Sequence, residues 1–383
     1  MTSTSLTVGL PVSQSGRFSR QGIQVLTGIK QWIRWANERG GVRVNDGQRV
    51  ALELIHYDDE SRPAVTERLT KRLLRDDKID ILLGPYASSL TLAAAPVADT
   101  HETVLWNHSG ATDALYDEGF QWLVSILAPA SRYFHGLLEL IRQLDRSASR
   151  IALCWSRSGS FGEAVASGAK VRARDLDFAI AKEHPWEPPL DDTALLVDSL
   201  RDVEPDVVLS AGSFEDDVRL VRELVIHDID IKAIGAVAAG ISAFGEQLGE
   251  TAHGVCGPSQ WEPTPTFTPE YGPSPTDIVN ILETTAVQPS DYPAVQAFAT
   301  GIVIQTCIAL GDAYDPTSRT IDQQQLLATA EAANFTAFFG RFQIDPDTGE
   351  QVGQTPVIIQ WQGDVQRVVW PQISRHVTPV YPI

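Results

Sequence analysis

Cysteine is scarce in this sequence and never clustered. Cys154, Cys256 and Cys307 lie far apart, with no CxxC and no Cys/His group, so no metal site is expected. The odd count also rules out complete internal pairing. Cys154 closes the apolar run Ile151-Ala152-Leu153 and Cys307 falls in an apolar helical pattern; both read as buried free thiols. Basic charge is short as well, with 30 Lys and Arg against 49 Asp and Glu and a formal net charge of −19. A phosphate backbone calls for a basic surface, so no nucleic acid partner is expected. Adhesion to an anionic membrane is disfavoured for the same reason, and the acidity reads as a solubility device. No transmembrane run is read in the chain. Its start, MTSTSLTVGLPV, has no basic region followed by an apolar stretch. The protein is therefore expected either to stay inside the cell or to have lost a leader.

Catalytic signatures are missing too. GLPVSQSG, after the first apolar strand, lacks the GxGxxG spacing of a dinucleotide site. There is no GxxxxGKS/T phosphate loop, no GxSxG elbow and no HExxH. The two histidines of HETVLWNH, His101 and His108, are separated by a strand. Asp58-Asp59-Glu60 is a carboxylate cluster at a strand end. As a catalytic pair it needs pKa values driven apart by burial; a solvated turn that caps the next helix is the simpler reading. No enzyme activity and no cofactor are expected.

What is present is alternation. A chain of 383 residues, 43% hydrophobic and 21% charged, has room for two globular domains. Apolar strands at 6–10, 50–56, 79–83 and 103–106 alternate with helices at 22–38, 64–74 and 90–100. The first helix places Ile23, Leu26, Ile29, Ile33 and Ala36 on one face. A second round follows: helices at 130–143, 161–173, 192–203 and 216–227, strands at 150–155, 178–182, 206–210 and 231–234. Residues 254–258 and the segment before them read as two successive strands. Residues 261–275 are a Pro-rich loop, followed by helices at 277–285 and 292–313 and a β-hairpin over 340–369 with its turn at 345–349. The fold class is α/β, with two doubly wound parallel-sheet domains. Ligands of such sheets sit outside the carboxyl ends of the strands, which here are the loops at 84–89, 107–112, 156–161, 212–214 and 235–240. If the two domains face each other, these loops converge on one cleft.

The stretch ILLGPYASSLTLAAAP, residues 81–96, raises a particular question, because Ser88 and Ser89 stand where a helix begins. A helix start has about four unpaired N–H groups. Serine caps them, and the same groups attract anions. Ser88-Ser89 therefore caps the helix, binds a carboxylate, or does both.

Four segments in order, VGLPVSQSGRFSRQG, HYDDESRPAVTERLTKRLLRDDKIDILLGPYASS, NHSGATDAL and DYPAVQAFATGIVI, resemble the periplasmic solute-binding proteins of branched-chain amino acid ABC importers, which have the type I periplasmic-binding fold. The resemblance spans nearly the whole chain. It implies a three-segment hinge crossed near 119–126, 254–258 and 338–342, with one domain over 1–122 plus 256–337 and the other over 123–255 plus 338–383. It implies a small-molecule ligand, the membrane subunits of an ABC importer as partner, a monomer, and a periplasmic or extracellular place at the membrane. In that family a Ser hydroxyl and N–H groups of the first domain hold the ligand carboxylate; the matching positions are Ser88 with Tyr86 and Ala87, and Gly110, Ala111 and Thr112. Phe161 matches a family tyrosine, and an aromatic contact falls at Ser213 or Phe214. Phe18, Trp155, Asn107 and His108 are further wall candidates, with strand and loop roles the simpler reading for Trp155 and His108. One departure stands out. Amino-acid binders of the family carry an acid where this chain has Val237, so the ligand is expected to be an apolar or aromatic carboxylate, or an amide, unless Glu215 or Asp216 supplies the charge. A cytosolic ligand-sensing regulator of the same fold is the alternative.

Overall fold

The computed structural model describes residues 5–44, 47–263, 268–283, 291–374 and 377–383. Packing divides the chain into two units, Met1–Ala128 with Phe267–Gln354, and Pro129–Thr266 with Thr355–Ile383.

Unit 1 begins with β1 (Ser5–Val12), α1 (Ser19–Glu38), β2 (Val42–Arg43), β3 (Arg49–Asp58), α2 (Pro63–Arg75), β4 (Ile81–Leu83), α3 (Ser88–Thr100), β5 (Leu105–Asn107), α4 (Ala114–Asp117) and β6 (Leu123–Ser125). The sheet order is β2-β3-β1-β4-β5-β6. Only the short β2 runs antiparallel, against β3. Register brings the strand ends level: Val12 of β1 lies opposite Asp58 of β3, and Asn107 of β5 opposite Ser125 of β6. The loops that leave these ends therefore share one edge.

Unit 2 follows with α5 (His135–Leu144), β7 (Arg150–Ser156), α6 (Phe161–Asp175), β8 (Ala179–Trp186), α7 (Thr193–Val203), β9 (Val207–Ala211), α8 (Phe214–Ile226), β10 (Ala233–Ala236), α9 (Ser242–Leu248) and β11 (Cys256–Ser259). The chain then returns to unit 1 through α10 (Pro275–Glu283), α11 (Tyr292–Gly311), β12 (Tyr314–Asp315), β13 (Thr320–Ile321), α12 (Gln323–Ala332), β14 (Phe335–Ala337) and β15 (Gly340–Phe342). It ends in unit 2 with β16 (Val357–Gln362) and β17 (Val365–Trp370). The second sheet has the order β17-β16-β11-β10-β9-β7-β8. Trp155 of β7 lies opposite Ala211 of β9, and Ser210 of β9 opposite Ala236 of β10, so this sheet also has one edge of level strand ends.

Several expectations are corrected by these elements. A helix, α9, stands between β10 and β11 where a strand was expected. Cys256–Ser259 pairs with β10 and β16, so it belongs to the second unit's sheet. The hairpin is β16–β17 with Gly363 at its turn, φ +66°. The 345–349 turn exists, with Gly349 N–H donating to Asp345 O at 2.8 Å, but it lies in unit 1 beside the β14–β15 pair. The chain changes units after 128, 266 and 354 rather than after 122, 255 and 337. Residues 264–267 of the Pro-rich loop and 284–285 of the next helix fall outside the described residues.

α1 is turned slightly from the expected face. Val25, Leu26, Ile29, Trp32 and Ala36 are buried, while Ile23 is 54% exposed. The turn follows from Gly22, where a Cβ would stand 1.9 Å from Ser13 O; only a glycine lets the helix approach the end of β1 so closely. α11 is long and apolar enough to cross a membrane by length and composition, but it is a core helix, with Pro293 through Ile304 all buried. It packs closely on α1: the Trp32 ring of α1 sits against Gly301, where a Cβ would stand 1.9 Å from it, and a Cβ on Gly28 would meet Ala294 O at 2.1 Å. Each large side chain buried along this seam contributes about 1.5–3 kcal/mol. All three cysteines are buried and free, Cys154 and Cys307 as their apolar settings indicated.

Candidate functional site

The carboxyl-end loops of unit 1 are fastened to one another by side chains. Asn107, fully buried at the end of β5, is the centre. Its Oδ1 accepts from Gly110 N–H at 2.7 Å and Ser109 N–H at 3.2 Å, and its Nδ2 donates to Gly110 O at 2.7 Å and Ser125 Oγ at 2.8 Å. Gly110 must be glycine, because a Cβ there would stand 2.6 Å from Thr91 Oγ1 on α3. This close approach brings Ala111 and Thr112 against the start of α3.

Ser88 is where the two loops meet. It is not the cap: the residue before α3 is Ala87, and no side chain caps the helix. Instead Ser88 Oγ accepts from Ala111 N–H at 3.1 Å and Thr112 N–H at 3.2 Å. Among the described residues no acceptor takes the hydroxyl's own proton. A hydroxyl that accepts two hydrogen bonds is polarised toward donating a third, and here its donor stands at a helix N-terminus, where negative charge is favoured. Tyr86 and Ala87 precede it, half-buried, and the Tyr86 ring meets Phe18 edge to face at 5.9 Å.

Phe18 is held by the first loop. Ser61 Oγ accepts from Phe18 N–H at 3.1 Å and donates to Ser15 O at 2.7 Å. Asp58 collects the Gln14 and Ser15 N–H groups and the Ser15 hydroxyl. Partial burial works against its ionisation, but these donors and the Glu60 N–H outweigh it and hold the carboxyl below its ordinary range. Asp59 is the opposite case. It is fully buried, burial pushes it up to about 6, and the Ser13 hydroxyl at 2.6 Å and the Ser61 N–H pull against that. The carboxylate cluster is thus a loop-fastening device, partly buried where a solvated turn was expected. His108 is fully buried with Nδ1 2.6 Å from Ser109 Oγ, and burial lowers its ring to about 4, so it is neutral. Gln296 of α11 donates to the same Ser109 Oγ at 3.1 Å. His108 is a loop support rather than a wall residue.

In unit 2, Phe161 opens α6 and meets the Tyr133 ring edge to face at 5.6 Å. Trp155 donates from Nε1 to Glu163 Oε2 at 2.7 Å and is buried at its strand end. Ser213 is exposed and caps α8, its Oγ accepting from Asp216 N–H at 3.2 Å. Phe214 is the first residue of α8, half-buried against the unit's apolar core. Val237 is half-buried at the head of the turn Val237–Gly240. Of the two acids that were to replace the missing charge, Glu215 is exposed and Asp216 is occupied, accepting from Leu190 N–H at 2.8 Å and from Trp186 Nε1 at 3.3 Å.

The residue that sequence reading missed is Asp217. It is fully buried and accepts three hydrogen bonds, from Ser210 Oγ at 2.6 Å, Gly212 N–H at 2.8 Å and Ala238 N–H at 2.9 Å. Burial pushes it up to about 7 against the pull of these donors. The sequence held one sign of it, a third acid in the run Glu215-Asp216-Asp217 shortly after an apolar strand. Acids in a first helical turn are common, so the sign was not distinctive.

A cavity of about 360 Å³ in unit 1 is lined by Phe120, Trp122, Leu327, Glu331 and Asp347 among others. It opens beside the amino end of β6, away from the loops above, and none of the expected site residues lines it.

These two sets of strand-end loops, each over a mainly parallel sheet, have a match in sequence: residues 5–365 fit the family described as periplasmic binding protein. The chain belongs to the periplasmic binding protein family. Solved structures agree on the fold. The branched-chain amino acid transporter substrate binding protein LivJ of Streptococcus pneumoniae, solved with isoleucine, is 16% identical with a TM-score of 0.78, covering 94% of this chain and 97% of its own. A solute binding protein of an ABC transporter from Rhodopseudomonas palustris BisB5, solved with 3,4-dihydroxybenzoic acid, is 18% identical with a TM-score of 0.76, covering 95% and 97%. A putative branched-chain amino acid ABC transporter protein from Silicibacter pomeroyi is 14% identical with a TM-score of 0.82, covering 99% of both chains. In this periplasmic binding protein the fold is the type I α/β arrangement expected from the resemblance. The matched family consists of periplasmic or extracellular binding proteins for small solutes.

Proposed function

We propose that this protein is the solute-binding component of an ABC importer, working as a monomer outside the cytoplasmic membrane, and that its ligand is an apolar or aromatic carboxylate without an α-ammonium group, or a neutral amide. The observation that carries the reading is Ser88, whose hydroxyl gathers the Ala111 and Thr112 N–H groups and keeps its own proton for an incoming anion. A charge-assisted bond from such a hydroxyl is worth about 1.5–3 kcal/mol. Tyr86, Ala87, Gly110 and Phe18 line the same edge of unit 1. On unit 2, Phe161, Ser213, Phe214 and Val237 stand at the strand-end loops.

The absence of an ammonium on the ligand follows from the acids. Val237 is apolar where amino-acid binders of the family hold the amine. Asp216 and Asp217 are buried and engaged by donors of their own chain. An ammonium buried without a partner costs several kcal/mol. The fold accommodates both kinds of ligand, since one solved neighbour carries isoleucine and another a dihydroxybenzoate. A thermal-shift panel tests the reading, with leucine, isoleucine and valine beside their 2-oxo acids, benzoate and 3,4-dihydroxybenzoate. The acids without an amino group are expected to raise the melting temperature and the amino acids to leave it unchanged. A shift with leucine and none with its 2-oxo acid overturns it.

A further inference from the structure

Asp217 lies in none of the loops assigned above, yet it is bonded to two of them. Its Oδ1 holds the loop after β9, through Gly212 N–H at 2.8 Å and Ser210 Oγ at 2.6 Å. Its Oδ2 holds the turn after β10, through Ala238 N–H at 2.9 Å. β9 and β10 are neighbours in the sheet, with Ser210 opposite Ala236, so one carboxylate spans the two strand ends. The flanking residues are those read as ligand contacts: Ser213 directly follows Gly212, and Val237 directly precedes Ala238. The loop is also shaped to the carboxylate. A Cβ on Gly212 would stand 2.8 Å from Asp217 Oδ1 and 2.9 Å from the Trp186 ring. An acid placed only for the helix dipole would face solvent, as Glu215 does; Asp217 is 0% exposed.

We propose that Asp217 is a positioning residue for the ligand wall of unit 2: it fixes the backbone on either side of Ser213–Phe214 and Val237 before any ligand arrives, and it uses up the N–H groups that would otherwise offer an anion a place there. The proposal rests on the reading of those residues as ligand contacts. It assigns the wall a neutral partner, and leaves the ligand carboxylate to Ser88. A buried carboxylate with three donors rigidifies what it holds, and replacing it with an amide turns one acceptor into a donor that faces an N–H.

Amide hydrogen exchange on the full chain tests this. In Asp217→Asn, exchange is expected to speed up at least tenfold in the segments 209–216 and 235–241 together, with 86–92 and 105–113 of unit 1 unchanged as the internal control. No change, or a change in one segment alone, overturns the proposal. If the variant loosens throughout, Ser210→Ala removes a single donor; it is expected to accelerate the same two segments about threefold, and a uniform or absent effect overturns the proposal. Benzoate and isoleucine at millimolar concentration serve as probes. A probe that protects 235–241 in the parent protein is expected to protect it at least tenfold less well in Asp217→Asn, and equal protection in both overturns the proposal. If neither probe protects the parent protein while the paired loosening is seen, the ligand-wall reading fails and the loop tie stands.

Discussion

In unit 1 the loops after β4 and β5 are fastened by neutral groups, the Asn107 amide, the Ser88 hydroxyl and the neutral His108 ring. In unit 2 the loops after β9 and β10 are fastened by a carboxylate, Asp217, and the loop after β8 by another, Asp216. The backbone problem is the same in both, because a loop leaving a parallel strand has N–H groups that need partners. The solutions differ in what they leave for a ligand. A neutral fastener satisfies the loop and leaves the local field favourable to an anion. A carboxylate satisfies it and makes the same place hostile to one. On the proposed reading, an anion is favoured at these loops of unit 1 and disfavoured at those of unit 2.

The largest effect is expected from removing the centre of the neutral set. Asn107→Leu leaves Gly110 N–H and Ser125 Oγ without their buried partner and should cost about 3 kcal/mol or more in chemical denaturation. A loss under about 1 kcal/mol would show that the loop stands without it. Next is Ser88→Ala, expected to weaken a carboxylate ligand about tenfold or more by calorimetry and to cost about 1–3 kcal/mol in stability, because the Ala111 and Thr112 N–H groups lose their acceptor. Equal affinity would remove Ser88 from the site.

The third prediction separates the two sets by pH. Asp59 and Asp217 are raised in the folded state, to about 6 and about 7, above their unfolded value near 4. Their contribution to stability is therefore full at low pH and is lost as pH rises through 6 to 7. His108 is lowered to about 4, so its contribution is lost as pH falls from about 6.5 toward 4. Between pH 6 and 8 the lowered histidines His56, His108, His135 and His184 act in the opposite sense, so the comparison is with the variant: the melting temperature of the parent is expected to fall by a few degrees relative to that of Asp217→Asn over this range. A difference between the two proteins that does not change with pH contradicts the assignment. The smallest effect is expected at Glu215. Glu215→Gln should change ligand affinity less than twofold, because this acid is exposed and serves the first turn of α8; a larger loss would make it the missing partner of an amine.

Much of the fold was legible because it rests on periodicity. Apolar strands such as Ile151–Leu153 and one-sided helices such as α1 carry their burial in their spacing. Among the elements that were missed, α9 and α12 are short, and α12 buries only Leu326 and Ala330. The hairpin was misplaced because both the 345–349 turn and Gly363 carry turn chemistry, and which of them closes paired strands depends on β11 reaching β16 from far away in sequence. At the site, Ser88, Ala111 and Thr112 were legible as a group through the family resemblance. The direction of the Ser88 hydroxyl was not, since a serine at a helix start has the same sequence whether it caps or turns to the next loop. Asp217 was illegible for a related reason: its burial depends on the Ala238 N–H at the end of the neighbouring strand β10 and on the Ser210 hydroxyl turning toward it.

The seam between α1 and α11 has a consequence for how the protein is made. α1 is synthesised near the start of the chain, but the helix that packs against its Gly28 and Trp32 follows more than 250 residues later. Until then the growing polypeptide carries an uncovered apolar stripe, and a fragment ending before residue 291 should be sticky and short-lived. The chain's dependence on its late residues makes it a natural client for holding factors during translation, and a poor candidate for expression in halves.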